Sequence, residues 1–291
     1  MTEEPYAIAP LRDGRRLGYL QVGAADGPVV IHCHGGGSSR LEALFFEGAA
    51  TDLGLRVIGV DRPGIGRSDP HAYADLATWA DDIEDLADQL RIDRFAVQGV
   101  SNGGPYAMAC AVRLRERVRA CGLISSMGPA DLIRRYGSRF MRVAFWAARR
   151  FPKAFDRYIH ALVPDARPTA ADAEGRMRSM ARGMPEADRL MFEEPRLRAL
   201  LARAFSEHRA QGVVGGRHEV RVGLRPWGFA IGDVRPERLF LWHGEQDRIV
   251  PCKVARALAE ALPGCEAAYF ATEGHFSLAA NHAAEILKHM R

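Results

Sequence analysis

Short apolar runs alternate with longer amphipathic stretches through residues 17–125, and that alternation leaves a parallel α/β sheet as the fold to expect. Val29-Val30-Ile31-His32-Cys33, Val57-Ile58-Gly59-Val60, Phe95-Ala96-Val97-Gln98-Gly99-Val100 and Gly122-Leu123-Ile124-Ser125 have the length and β-branched content of strands. Between them, residues 41–53, 76–90 and 105–114 predict helices. Leu76, Trp79, Ile83, Leu86 and Leu90 fall on one helical stripe, and Pro105 suits the first turn of the next helix. Residues 17–22 alternate like an antiparallel edge strand. Strand–helix–strand units cross over right-handed into a parallel sheet, and active sites of such sheets lie at the carboxyl ends of the strands.

From residue 129 to residue 225 the β-rich runs stop. This segment is rich in Arg, Ala, Met and Leu and predicts several helices, broken at Pro152, Pro164, Pro168, Pro185 and Pro195. Strand–helix alternation then resumes, with strands at 239–242 and 267–270 and helices at 254–262 and 277–288. The expected division is an α/β core of residues 1–128 and 226–291 with a helical cap, 129–225, inserted into it. A chain of 291 residues with 47% hydrophobic and 26% charged residues suits one such domain.

The formal net charge of +4 is small for this length and gives no reason to expect a nucleic-acid or membrane partner. Five cysteines, an odd number with no Cys-x-x-Cys spacing, read as reduced thiols. The opening Met1-Thr2-Glu3-Glu4-Pro5 does not have the pattern of a signal peptide, and no apolar run reaches about 18 residues. The expectation is a cytoplasmic protein, monomer or homodimer, acting on a small molecule.

Gly99-Val100-Ser101-Asn102-Gly103 follows a predicted strand and opens a predicted helix. A serine there sits on a strained turn with its hydroxyl projecting above the sheet, and the flanking glycines let strand and helix approach. A serine hydroxyl attacks only when a base takes its proton. His275, in Glu273-Gly274-His275-Phe276, follows the last predicted strand and is the candidate base. His243 also ends a strand, whereas His32 lies inside one and reads as a core histidine. The base needs an acid to hold its tautomer. Asp247 follows the penultimate strand, with Glu245 in the same loop and Asp131 as rivals. Backbone donors for a developing oxyanion come from Gly36, with Gly35 or Gly37 as alternatives, and from Asn102. The glycine run lacks the spacing of either nucleotide-binding motif.

These motifs resemble, in order and over nearly the whole chain, those of the α/β-hydrolase fold superfamily, in particular its capped serine hydrolases. The bearers are His34-Gly35-Gly36-Gly37, Asp61-Arg62-Pro63-Gly64-Ile65-Gly66-Arg67-Ser68, the stretch around Ser101, His243-Gly244-Glu245-Gln246-Asp247 and Gly274-His275-Phe276. The resemblance implies an eight-stranded, mostly parallel sheet flanked by helices. It also implies a nucleophile–acid–base set of Ser101, Asp247 and His275, and a need for no metal or cofactor. Substrate contacts are expected from His34, Gly35, Gly37, Phe276 and Trp146. The 61–68 loop is expected to be structural. Serine at the nucleophile position favours acyl chemistry over the alkyl chemistry of relatives with aspartate there, and the elbow differs from the Gly-Gly-Ser-Trp-Gly of proline iminopeptidases. Carboxylester cleavage is the expected activity. Peptidase, lactonase and cofactor-free perhydrolase activities, and a ligand receptor on a hydrolase fold, stay open.

Overall fold

A computed structural model describes residues 6–162 and 169–291; the predicted helix breaks at Pro164 and Pro168 lie outside the described residues. Among the described residues eight strands form one sheet: β1 (Tyr6–Pro10), β2 (Arg16–Gly23), β3 (Val29–Cys33), β4 (Arg56–Val60), β5 (Phe95–Val100), β6 (Val118–Ile124), β7 (Arg238–Gly244) and β8 (Cys265–Phe270). Their order is β1-β2-β4-β3-β5-β6-β7-β8. The pairs β1–β2 and β2–β4 are antiparallel, and all others are parallel. The residues read from the sequence as an antiparallel edge strand are antiparallel but internal. The edge is β1, whose Tyr6-Ala7-Ile8-Ala9-Pro10 has a single β-branched residue, two alanines and a closing proline, and so does not announce a strand; pairing with β2 makes it one.

Helices cover both faces. On one side α1 (Glu47–Leu53) packs against the sheet, and on the other lie α2 (Trp79–Gln89) and α3 (Gly103–Arg113). The helix expected over residues 41–53 is α-helical only from Glu47; Arg40–Phe46 form a 3₁₀ turn instead. Their first N–H groups are taken by side chains, Arg40 N–H by Asp61 and Leu41 N–H by Ser39. Between β6 and β7 the described residues form the helices α4 (Ala130–Tyr136), α5 (Arg139–Arg150), α6 (Pro152–Leu162), α7 (Ala170–Ala181), α8 (Glu186–Glu193), α9 (Pro195–His208) and α10 (Val214–Gly223). After β7 come α11 (Cys252–Ala261), α12 (Ser277–Asn281) and α13 (Ala283–His289). The single closing helix expected from the sequence is thus two, separated at His282.

The topology selects one place on the sheet edge. The chain leaves β3 toward β4 on one side and returns to β5 on the other, so β3 and β5 are neighbours whose following loops diverge above the sheet. Ligands bind at such a switch point in open α/β sheets. The close approach needed there depends on Gly103, at the start of α3. A Cβ at that position would lie 2.0 Å from the Cys33 carbonyl oxygen and 2.7 Å from that of His34. Neither can retreat, because β3 is held by strands on both sides. Gly103→Ala is therefore expected to destabilise the protein by about 3 kcal/mol. Gly48→Ala, in α1 with nothing within 4 Å of the new methyl, is expected to stabilise it by about 0.5–1 kcal/mol. Denaturant midpoints of the two variants check both signs.

Candidate active site

Ser101 follows β5 directly and has φ +52°, a left-handed backbone that non-glycine residues seldom hold. The turn persists because its surroundings hold it: Ser101 N–H donates to the Ile124 carbonyl, and the Ser101 carbonyl accepts from Gly104 and Met127. Strain of this kind, about 1–3 kcal/mol, is found where a side chain must project out of a sheet. A Cβ on Gly99 would meet the Gly103 backbone at 2.2 Å, so glycine at both flanks allows the turn.

Beside this turn, the loop after β3 presents its amides. A Cβ on Gly36 would lie 3.5 Å from the Cβ of Asn102, which brings the two backbones side by side. Among the described residues no acceptor takes the Gly36 or Asn102 N–H. The Gly35 N–H, an alternative donor by sequence, is already committed: it donates to Glu42 Oε2 at 2.5 Å. Glu42 lies 3.3 Å from His32 Nε2, and His32 is the buried core histidine expected.

The loop is held from below by Arg62. Its guanidinium donates to the carbonyls of His34 (2.5 Å) and Gly35 (3.1 Å), stacks over the Tyr106 ring at 4.5 Å and is paired with Glu219 of α10. All of this is buried. The 61–68 loop thus supports the Gly35–Gly37 turn. Such a role is invisible in sequence because Glu219 lies 157 residues away. His34 is buried beneath the loop and lines neither cavity described below. Burial, and then the Arg62 charge, push its pKa well below the ordinary histidine value.

His275 and Asp247 meet at the other end of the sheet edge. His275 Nδ1 lies 2.7 Å from Asp247 Oδ2, and both side chains are buried. The other oxygen, Oδ1, accepts the Ile249 and Val250 N–H groups, both at 2.8 Å. The carboxylate therefore cannot turn away. His243 sits behind it, fully buried, with Nε2 donating to the Val250 carbonyl at 2.9 Å. The rival acids point elsewhere: Glu245 pairs with Arg256 at the surface, and Asp131 with Arg134. Burial alone would lower the pKa of His275. The Asp247 charge and hydrogen bond, followed by the charges of Asp188 and Glu42, outweigh it, and the net shift is upward.

Two cavities, about 490 and 370 Å³, share Gly36, Gly37, Ser101, Arg176 and Phe205. The larger runs under α5, α6 and α10 and includes Asn102, Met127, Phe145 and Trp227. The smaller includes His275, Phe276 and three methionines, Met177, Met180 and Met191. Phe276, from which a substrate contact is expected, lines this smaller cavity. Trp146, from which one is also expected, is 61% exposed, lies against Phe151 and lines neither cavity. Both Trp146 and Phe145 fall on the apolar side of an amphipathic helix, and sequence periodicity does not say which of them turns inward. Arg176 and Arg217, which the sequence does not single out, line the larger cavity.

A further side chain, Asp188 of α8, is wholly buried and accepts the backbone N–H groups of His275, Phe276 and Ser277. Nothing local in the sequence marks it.

Known proteins share this arrangement of elements. The crystal structures of a bromoperoxidase from Bacillus anthracis and of the enol-lactonase from Burkholderia xenovorans LB400 superpose with TM-scores of 0.70 and 0.66 at 18% and 19% identity. Each match covers 98% of this chain, and 98% and 97% of those chains respectively. In sequence, the chain is 26% identical over 275 residues to a 2-hydroxy-6-oxo-2,4-heptadienoate hydrolase of Pseudomonas putida, covering 91% of this chain and 88% of that one. It is 32% identical over 167 residues to a proline iminopeptidase of Xanthomonas citri, a match to 55% of this chain and about half (51%) of that enzyme. The sequence profile described as alpha/beta hydrolase fold matches residues 28–279. No helix among the described residues is long and apolar enough to cross a membrane. By the extent of that profile match, the chain belongs to the alpha/beta hydrolase fold family.

Proposed function

We propose that this protein is a serine hydrolase that cleaves a carboxylic ester, or a related acyl bond, through an acyl-enzyme on Ser101. One observation carries the reading. A serine on a strained strand-to-helix turn opens into the same cavity as a histidine whose Nδ1 is held 2.7 Å from a buried aspartate. With Nδ1–H donated to Asp247, the His275 Nε2 lone pair is free to take the Ser101 proton as Oγ attacks the acyl carbon. The Gly36 and Asn102 amides receive the oxyanion. His275 then protonates the leaving group, and a water that it activates releases the acid. Asp247 holds the tautomer and stabilises the imidazolium.

In this reading α4–α10 form the cap that roofs the site, residues 129–225. Acyl group and leaving group occupy the two cavities that meet at Ser101. Both walls are largely apolar, which favours apolar esters of moderate size. The names of the relatives, which include a hydrolase, an iminopeptidase and an enol-lactonase, support hydrolytic chemistry without choosing the bond. A panel of aryl esters, lactones and prolyl amides, run beside Ser101→Ala, tests the proposal. Turnover of the esters above the others is the expected result. Wild-type protein that turns over none of them, and is not labelled by a fluorophosphonate, contradicts it.

The pH profile follows from the charges around His275. The base works only when neutral, and its pKa is raised, so kcat/KM should fall on acidification with a midpoint above 6.5, the ordinary histidine value. A kcat/KM profile on one aryl ester from pH 5 to 9 checks this.

A further inference from the structure

The base in this site sits on a short loop, Gly274-His275-Phe276, between β8 and α12. A loop of that kind has few ways to hold an imidazole in place. Asp247 fixes one ring nitrogen, but a hydrogen bond to the ring does not fix the backbone that carries it. The backbone is fixed by a carboxylate from the helices between β6 and β7. Asp188 Oδ2 accepts the His275 N–H at 2.9 Å, while Oδ1 accepts those of Phe276 (2.8 Å) and Ser277 (2.9 Å).

Three features show that this contact is built and not incidental. Asp188 is wholly buried, and among the described residues it meets no Lys or Arg. Its charge is balanced by three amide dipoles, an arrangement that is costly to bury unless every bond is made. Gly274 leaves the room for it: a Cβ there would lie 2.3 Å from Asp188 Oδ2. The helix that carries Asp188 is itself anchored beside the loop. Phe192, one turn on, stacks edge-to-face on Phe276 at 5.1 Å, and Met191 lines the cavity that holds His275. Ser277 Oγ accepts the Gly274 N–H at 2.9 Å and closes the turn from within.

We propose that Asp188 is a positioning residue for the reaction: it holds the backbone of the His275 loop, and thereby ties the placement of the general base to the seating of α8 on the core. This rests on the reading of His275 as the base. Asp188 also adds negative charge close to His275, at its backbone N–H. The other charged or titratable groups facing the imidazole are Asp247 and His243 from the β7 side, and Glu42 from the turn after β3. Asp188 and Glu42 both act in the direction that favours imidazolium.

Asp188→Asn is the informative variant, because it keeps the shape. An amide has one acceptor oxygen, and its NH2 group faces an N–H donor, so at least one of the three bonds is lost and the charge with them. On an aryl ester, kcat should fall about 10- to 100-fold, the scale of loss from a small misplacement of a reacting group. KM should stay within about threefold, and the acid limb of kcat/KM should move to lower pH. A role in stability alone would lower the melting temperature and leave the acid limb where it is. Wild-type kcat with an unmoved acid limb in the folded variant overturns the proposal. A measurement on wild-type protein covers the case in which the variant does not fold: amide hydrogen exchange at Phe276 and Ser277 should be slow, and exchange as fast as in an open loop overturns the proposal equally. That exchange needs no substrate. Should wild-type protein hydrolyse nothing, the proposed function fails, while the clamp is still judged on its own.

Discussion

Ser101→Ala is expected to lower kcat for an aryl ester by about 10⁴- to 10⁶-fold without unfolding the protein. Removing the nucleophile from a serine–histidine–aspartate set costs about as much as removing the whole set, and what survives comes from oxyanion donors and binding. The fold should tolerate the change. Alanine keeps the Cβ that already fits the turn, and the Ser101 backbone bonds to Ile124, Gly104 and Met127 do not involve the hydroxyl. The variant should therefore melt near the wild-type temperature and keep both cavities. Steady-state kinetics and a thermal melt on the same preparation check the two halves together. Activity within tenfold of wild type would remove Ser101 from the mechanism.

Asp247→Asn should cost about 10⁴-fold in kcat, and the structure gives the reason. Oδ1 accepts two backbone N–H groups, from Ile249 and Val250, and Oδ2 faces His275 Nδ1. An asparagine can satisfy those two donors only with its oxygen, so its NH2 group is turned toward the histidine. Nδ1 must then accept, and the ring proton moves to Nε2. The nitrogen meant to take the serine proton is occupied by one. Because the backbone bonds survive, stability should change little, and the loss should appear in kcat and in the rate of fluorophosphonate labelling alike. A variant that labels at the wild-type rate would contradict the tautomer argument.

The parts of the site that sequence made legible are those set by local patterns at strand ends. Ser101, Asp247 and His275 each follow a β-rich run, and the carboxyl edge of a parallel sheet gathers such positions whatever the loops do. Gly36 and Asn102 follow from the same logic. The contacts that hold these loops are a different matter. Asp188 reaches His275 across 87 residues, and Glu219 reaches Arg62 across 157, both from helices between β6 and β7. Neither is distinguished from a surface carboxylate by periodicity or spacing. Gly35 is an attractive oxyanion donor until Glu42 is seen to take its N–H. Trp146 looks like a pocket residue because an apolar stripe does not reveal which of its members faces a cavity. The edge strand β1 escaped for a related reason: its strand character comes from its neighbour more than from its residues.

A covalent intermediate on Ser101, as proposed, can be read directly. Wild-type protein and His275→Ala are incubated with a fluorophosphonate, digested, and mapped by mass spectrometry. The expected result is a single adduct on the peptide containing Ser101, reaching one label per wild-type chain, with labelling of His275→Ala slower by about 10³-fold or more. An adduct on another residue, no adduct on wild type, or equal rates in the two proteins would contradict the account.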